Sequence, residues 1–310
     1  MTLTHTSTGV LEFESLRDLL RGYAGSPLGM GRIQHLAPSL DRDWIEQQQQ
    51  LTNEIREFRR VGGRFEFAGL LDISKLVDEA CIAGAALETT QIRDLIMVVD
   101  RAAEWREIVM TPPAAMKNWS AVPNISEGIA DFTAFLREFR NKIQPDGTLE
   151  DRASPELARI RREIDKQKRT IQESLRGYLR RLAEGGTLQD ELVTIRGERF
   201  VIPVKVEQKR RVPGVVHGSS SSGQTVFVEP IETIEQNNDL VRLLDEEQAE
   251  VHRILLEMTR RIGENAEAIR NAADVLAELE LQFAKARFAE DYSCVPVSLS
   301  PARDAASGAD

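Results

Sequence analysis

Residues 199–230 read RFVIPVKVEQKRRVPGVVHGSSSSGQTVFVEP, a concentration of β-branched and aromatic residues inside a chain that otherwise carries helical periodicity. Within this stretch, residues 218–225 (GSSSSGQT) have the spacing of the phosphate-binding loop G-x-x-x-x-G-K-[ST], with Gln224 where that motif places its lysine. A phosphate cradle needs a strand before the loop, a helix N-terminus after it and a cation reaching the β- and γ-phosphates. Here the loop is followed by Val226-Phe227-Val228-Glu229-Pro230, a strand-like run closed by proline, so no helix dipole faces it. The spacing therefore predicts a hairpin with a serine-glycine loop rather than a nucleotide site.

Outward from this hairpin the island holds four short strands, at about 192–196, 200–206, 214–216 and 226–228, with Pro203 and Pro213 expected at edge positions or strand ends. Upstream, Ser154-Pro155-Glu156 starts a helix, with serine as N-cap and proline at the first helical position, that runs to about Ala183 before Gly185-Gly186. Downstream, residues 234–291 contain no proline and one glycine, and Ile262, Ile269, Leu276 and Phe283 recur every seventh residue, with Val251, Leu255 and Met258 continuing the seam upstream. Unbroken, that helix is roughly 80 Å long, more than a globular core encloses. Long helix out, small sheet, long helix back describes an antiparallel helical lever arm with a β module at its tip.

Before the arm, helices are expected at about 11–23, 28–36, 44–60, 73–83, 89–110 and 125–143, the last with Ile129, Phe132, Leu136, Phe139 and Ile143 on one face. The fold class that follows is mainly α. A helical core spans 1–150, the outgoing lever helix 151–187, the small antiparallel β module 188–231, the returning helix 232–292 and a tail without a core-forming pattern 293–310.

The 310 residues are 41% hydrophobic and 29% charged, enough for a substantial core. The N-terminus has no signal-peptide pattern and no apolar run is long enough to span a bilayer, which places the expected address in the cytoplasm. Cys81 and Cys294 lie far apart in a chain with four histidines, so neither a disulfide framework nor a metal cluster is expected, and both thiols are expected to be buried. The net charge is −10, but residues 156–181 carry nine Lys/Arg against four Asp/Glu, and residues 192–228 six against two. A basic arm on an acidic body suits a phosphate-bearing partner. Arg196, Arg199, Lys205, Lys209, Arg210 and Arg211 are the expected nucleic-acid contacts, and His217 and Ser219–Ser222 could add neutral donors. A coiled-coil scaffold or chaperone-like arm is the alternative reading of the same helices.

The 199–230 stretch, with Asn237-Asn238 and the glutamate-rich helix after it, resembles the clamp and returning lever of the bacterial MutS-like proteins of the second type, MutS-II. YAGSPLG (23–29) and LAPSLDRDWI (36–45) are similar to that family's N-terminal core, and the resemblance covers residues 10–292. It implies a dimeric, ATP-driven clamp on branched DNA that restrains recombination and, in some bacteria, splits collided ribosomes. It further implies that an ATPase domain, with ATP and magnesium, and often a small Smr nuclease domain lie beyond residue 310, leaving to these residues substrate gripping without catalysis or cofactor. Phe227-Val228-Glu229 has the letters of the Phe-x-Glu wedge of mismatch-recognising MutS, but its place in the strand re-entering the arm implies that Phe227 packs. Phe288-Ala289-Glu290 has the same letters on a helix.

Overall fold

A computed structural model describes residues 12–183 and 193–299, which fall into two compact units: Met1–Arg140 with Met258–Asp310, and Asn141–Glu257. Helices dominate, and the described strands form one four-stranded antiparallel sheet, as expected of a mainly α chain with a small β module. No helix among the described residues is long and apolar enough to cross a membrane.

The first unit contains α1 (Phe13–Arg21), α2 (Pro27–Gln34), α3 (Arg42–Arg60), α4 (Ser74–Ala80), α5 (Thr89–Met110), α6 (Ala121–Ser126), α7 (Thr133–Phe139) and, from the far end of the chain, α10 (Ala266–Asp291). Helix α10 is its axis. It buries Ile269, Ala272, Leu276, Leu279, Phe283, Ala284 and Ala286 at 4% exposure or less, and it packs against α1 to α5. A helix apolar on most sides must be wrapped by others. Around Phe283 stand Phe58, Phe67 and Trp105 with ring centroids 6.1, 5.2 and 5.9 Å away, and the buried Trp105 indole donates to Ser126 Oγ at 3.0 Å. Edge-to-face rings with a satisfied indole N–H make a core with one preferred arrangement.

Two buried carboxylates fasten this unit. Glu280 of α10 accepts from the backbone N–H of Gly25 (2.7 Å) and Ser26 (2.8 Å) and from the Ser26 hydroxyl, while Ser26 caps α2 by accepting from Gly29 N at 3.1 Å. Glu54 of α3 accepts from the N–H groups of Ser120, Ala121 and Val122 at 3.1, 2.9 and 2.9 Å, taking up the unpaired donors at the start of α6. The YAGSPLG motif is thus a helix start shaped around a carboxylate that comes from more than 250 residues away.

The second unit opens with a 3₁₀ turn (Asp151–Ala153) and α8 (Pro155–Ala183), begun as the Ser-Pro-Glu signal predicts: Ser154 Oγ accepts from Glu156 and Leu157 N–H, each at 3.1 Å, and donates to Glu250 Oε1 at 2.6 Å. Strands β1 (Thr194–Arg196), β2 (Arg199–Lys205), β3 (Gly214–Ser219) and β4 (Thr225–Pro230) follow in the spatial order β1-β2-β4-β3. A short 3₁₀ turn (Ile231–Thr233) then leads to α9 (Ile234–Glu264). One face of the sheet, with Phe200, Ile202, Val204, Val226 and Val228, closes on Ile164, Ile171, Leu175, Tyr178 and Leu179 of α8 and on Leu240 and Leu243 of α9. Each such side chain stabilises the unit by about 1.5–3 kcal/mol.

Asn237, fully buried in α9, completes the sheet. The register Ile202↔Val228 puts Pro230, which has no N–H, opposite Phe200. Asn237 fills the gap, accepting from Phe200 N at 2.9 Å and donating to Phe200 O at 3.0 Å as a neighbouring strand would.

Three expectations need correction. The 234–291 segment is not one helix: α9 ends at Glu264 and α10 begins at Ala266, with Asn265 (φ −108°, ψ 13°) between them, donating its side chain to Arg261 O and its N–H to Ile262 O. The break follows Gly263, where a Cβ would lie 2.4 Å from Ala80 O. Far from being too long to enclose, the second half is the enclosed centre of a unit. Residues 125–143 likewise hold only the end of α6 and then α7, with an Asx turn between, Asp131 accepting from Thr133 N at 2.9 Å, although Ile129, Phe132 and Phe139 are buried as the period requires. Pro203 pairs with Phe227 of β4 and lies past the described end of β1, which reaches only to Val201, and Pro213 precedes a strand, so both fit the edge or strand-end positions expected of them. Finally, Cys81 is exposed and Cys294 half-buried, because neither belongs to an apolar helix face. The expected strand start at 192, the Gly185-Gly186 stop and the tail beyond 299 lie outside the described residues.

Candidate nucleic-acid interface

Strand β2 separates the six predicted cations into two groups, since its seven residues place Arg199 about 20 Å from Lys205 at ~3.3 Å per residue. At the first end, Gly197 and Glu198 both have positive φ (53° and 64°), the backbone of a two-residue hairpin turn joining β1 to β2. There Arg199 donates to Glu229 Oε1 at 2.9 Å and to Asn238 Oδ1 at 2.7 Å, and His217 Nε2 lies 2.6 Å from Glu229 Oε2. Glu229 is 2% exposed, so this pairing prevents an uncompensated buried charge. Arg199 and His217 are thereby committed to the fold. Arg196 stacks its guanidinium 4.3 Å from the centre of the Phe227 ring. Phe227 is half-buried on the sheet face away from Val226 and Val228, held by that stack.

The other end of the sheet differs. Lys205 pairs in register with Thr225, and Val206 N donates to Gln224 O at 3.0 Å, so the 3₁₀ turn Val206–Arg211 adjoins the serine-glycine loop. Buried Val212 anchors the turn and leaves Lys205, Lys209, Arg210 and Arg211 exposed. None of these four makes an ion pair with a described residue, and Glu207 is the only acid among residues 205–211. The loop is a tight hairpin: Ser220 N donates to Thr225 O at 2.8 Å, Gly223 N to Ser220 O at 2.9 Å, and Thr225 N to Ser220 Oγ at 3.2 Å. Its inward N–H groups are spent on the turn, and a strand follows it. Ser221 and Ser222 are exposed in this loop, with Ser222 Oγ 3.2 Å from Ser220 Oγ. Chemically, this end presents exposed positive charge and small donors, a surface that suits phosphate oxygens.

Two features escaped sequence reasoning. The buried Glu229 with its arginine and histidine partners was hidden because the three residues come from different strands, and Asn237 was recognisable as part of a motif but not as a strand surrogate. Among the described residues no group of three or more His, Cys, Asp or Glu is placed to hold a metal.

The first unit carries a groove of about 530 Å³ lined by Trp44, Thr52, Lys285, Phe288, Val295 and Val297. Burial pushes the Lys285 ammonium down to about 8, opposed by the Glu278 carboxylate and aided by the Arg32 guanidinium, while its Nζ donates to Gln48 Oε1 at 2.7 Å. Between about pH 8 and the free-lysine value near 10.4 the unfolded chain holds this proton and the folded one does not, so folding gains stability as pH rises through that window. Lys285→Met is expected to flatten that rise in denaturation midpoints followed by tryptophan fluorescence; an unchanged pH profile would show that the ammonium is solvated.

No family model matches the chain. It is 33% identical over 293 residues to Endonuclease MutS2 of Thermomicrobium roseum, an alignment covering 94% of this chain and 37% of that protein. Similar matches are Endonuclease MutS2 of Clostridium botulinum (31% over 288 residues, 93% and 36%) and of Pelotomaculum thermopropionicum (32% over 280 residues, 90% and 35%). The chain spans a little over a third of the length of these relatives. That likeness runs through both units, from the α2 start to the sheet and α10, and it supports a MutS2-like family assignment.

Proposed function

We propose that this chain supplies the nucleic-acid grip of a MutS2-like DNA repair and recombination protein, with the cationic end of the sheet as its contact surface. The observation that carries this reading is the cluster of Lys205, Lys209, Arg210 and Arg211, exposed and unpaired among the described residues, beside a serine-rich hairpin. Contacts of this kind hold the backbone of DNA without reading its bases. The chain has no catalytic part in the proposal: ATP hydrolysis with magnesium, nuclease cleavage and homodimer formation are assigned to the full-length protein, acting in the cytoplasm. Ribosomal RNA offers the same phosphates and is the second substrate to test. Changing all four cations to glutamine is expected to reduce the slope of log affinity against log salt by about 3.6 on duplex DNA, at ~0.9 per phosphate contact. Affinity at 0.1 M salt is expected to fall at least tenfold. Fluorescence anisotropy over a salt series reads both, and binding that ignores salt and the four substitutions would favour the scaffold alternative.

A further inference from the structure

Helix α8 carries a second cationic surface. By the 3.6-residue period, Arg162, Lys166, Arg169, Arg176 and Arg180 fall within about 80° of one another around the helix, on the side opposite Ile160, Ile164, Ile171, Leu175 and Leu179. All five are exposed, and the row runs about 27 Å at ~1.5 Å per residue, interrupted only by Glu173.

The pairing of the arginines on this helix is selective. Those on its flanks are neutralised: Arg159 by Glu156 (2.6 Å) and Glu163 (2.7 Å), Arg161 by Asp151 and Glu247 (2.7 Å each), and Arg181 by Glu232 (2.6 Å). Those on the outward row have no ion pair among the described residues. Arg162 and Arg169 donate only through Nε, to the carbonyls of Ala158 (3.0 Å) and Asp165 (3.2 Å), which aligns the guanidinium along the helix with its other N–H groups free. The facing helix repeats the contrast, with Arg242 paired to Glu246 at 2.8 Å and Arg253 to Glu250 at 2.7 Å. Asp165 and Glu173 lie three or four residues from members of the row yet make no ion pair with them, so the row retains its charge for an external partner.

From this geometry we infer that the outward face of α8 is a track for a nucleic-acid phosphate backbone, running along the helix in addition to the contact at the sheet end. A straight row of five cations matches a regular line of phosphates, whereas an acidic protein partner would call for apolar groups between the charges, and the row offers none. The track rests on the nucleic-acid reading of the chain and extends its footprint from the 205–211 turn to the whole length of one helix.

The test uses the 310-residue chain and 30-base-pair duplexes of DNA and of RNA with one sequence, read by fluorescence anisotropy from low to high salt. Replacing Arg162, Lys166, Arg169, Arg176 and Arg180 with glutamine is expected to lower the salt slope by about 4.5 and the affinity at 0.1 M salt at least tenfold. Glu173→Lys, which completes the row, is expected to tighten binding and steepen the slope by about 1. The duplex that shows the larger change names the source of the phosphates. If the sheet-end variant weakens binding while neither row variant alters it, the track is overturned and the grip stands. If the unaltered chain binds neither duplex in a salt-dependent way, the grip and the track fall together. Both row variants lie on a solvated face, and circular dichroism melts matching the parent keep a null binding result decisive.

Discussion

Gly29→Ala is expected to destabilise the first unit by about 2–5 kcal/mol, the sum of overpacking and of stranded hydrogen-bond donors. The added Cβ would lie 2.3 Å from the Glu280 carboxyl carbon and Oε2 and 2.6 Å from its Cγ. Glu280 is fully buried and cannot swing aside without abandoning the N–H groups of Gly25 and Ser26. Burial already holds its carboxyl above the usual carboxylate range, against the pull of those same donors, so losing them would leave the charge uncompensated. Gly31→Ala is the internal control: it lies in the same helix with nothing within 4 Å of its added Cβ, and should be neutral or stabilising by up to about 1 kcal/mol. The three tryptophans, Trp44, Trp105 and Trp119, all belong to the first unit, so tryptophan fluorescence in urea reports this unit alone. Equal midpoints for the two alanine variants would sink the account.

The second large effect is expected from Asn237→Leu. Leucine is close to asparagine in size but leaves both the N–H and the C=O of Phe200 buried without partners, at about 1–3 kcal/mol each. A loss of about 2–5 kcal/mol should fall on the second unit, which contains no tryptophan. Far-UV circular dichroism in urea should therefore show an early transition while the fluorescence curve stays where it was. Asn237→Asp keeps the acceptor for Phe200 N and loses the donor to Phe200 O, so an intermediate loss is expected. Leucine tolerated without change would mean that water replaces the amide.

Local chemistry was the legible part of this chain. The β-branched island, the Ser-Pro-Glu helix start and the hairpin after the serine loop each depend on residues a few positions apart, and each stands where its letters put it. Hydrophobic period was legible as burial but not as continuity. Ile262 and Ile269 are both fully buried on either side of a helix break, because two helices meeting at Asn265 can serve one core without sharing an axis. The cations were visible as charge, whereas their employment was not. Arg199 and Arg210 look alike in sequence, and only the fold reveals that Arg199 is held by a glutamate 30 positions on. Glu54 and Glu280 gave no signal at all, since a carboxylate that caps a distant helix reads as one more acid on a charged face.

The bond between Asn237 and Phe200 has a kinetic consequence as well. Phe200 belongs to a strand by backbone geometry, yet the group that shields its amide from solvent is a side chain on the second turn of a helix. Its hydrogen should exchange with deuterium at the rate at which the start of α9 opens, faster than Ile202 or Val204 if that helix frays first and together with them if sheet and helix open as one. A single amide in the strand thus keeps time for the helix.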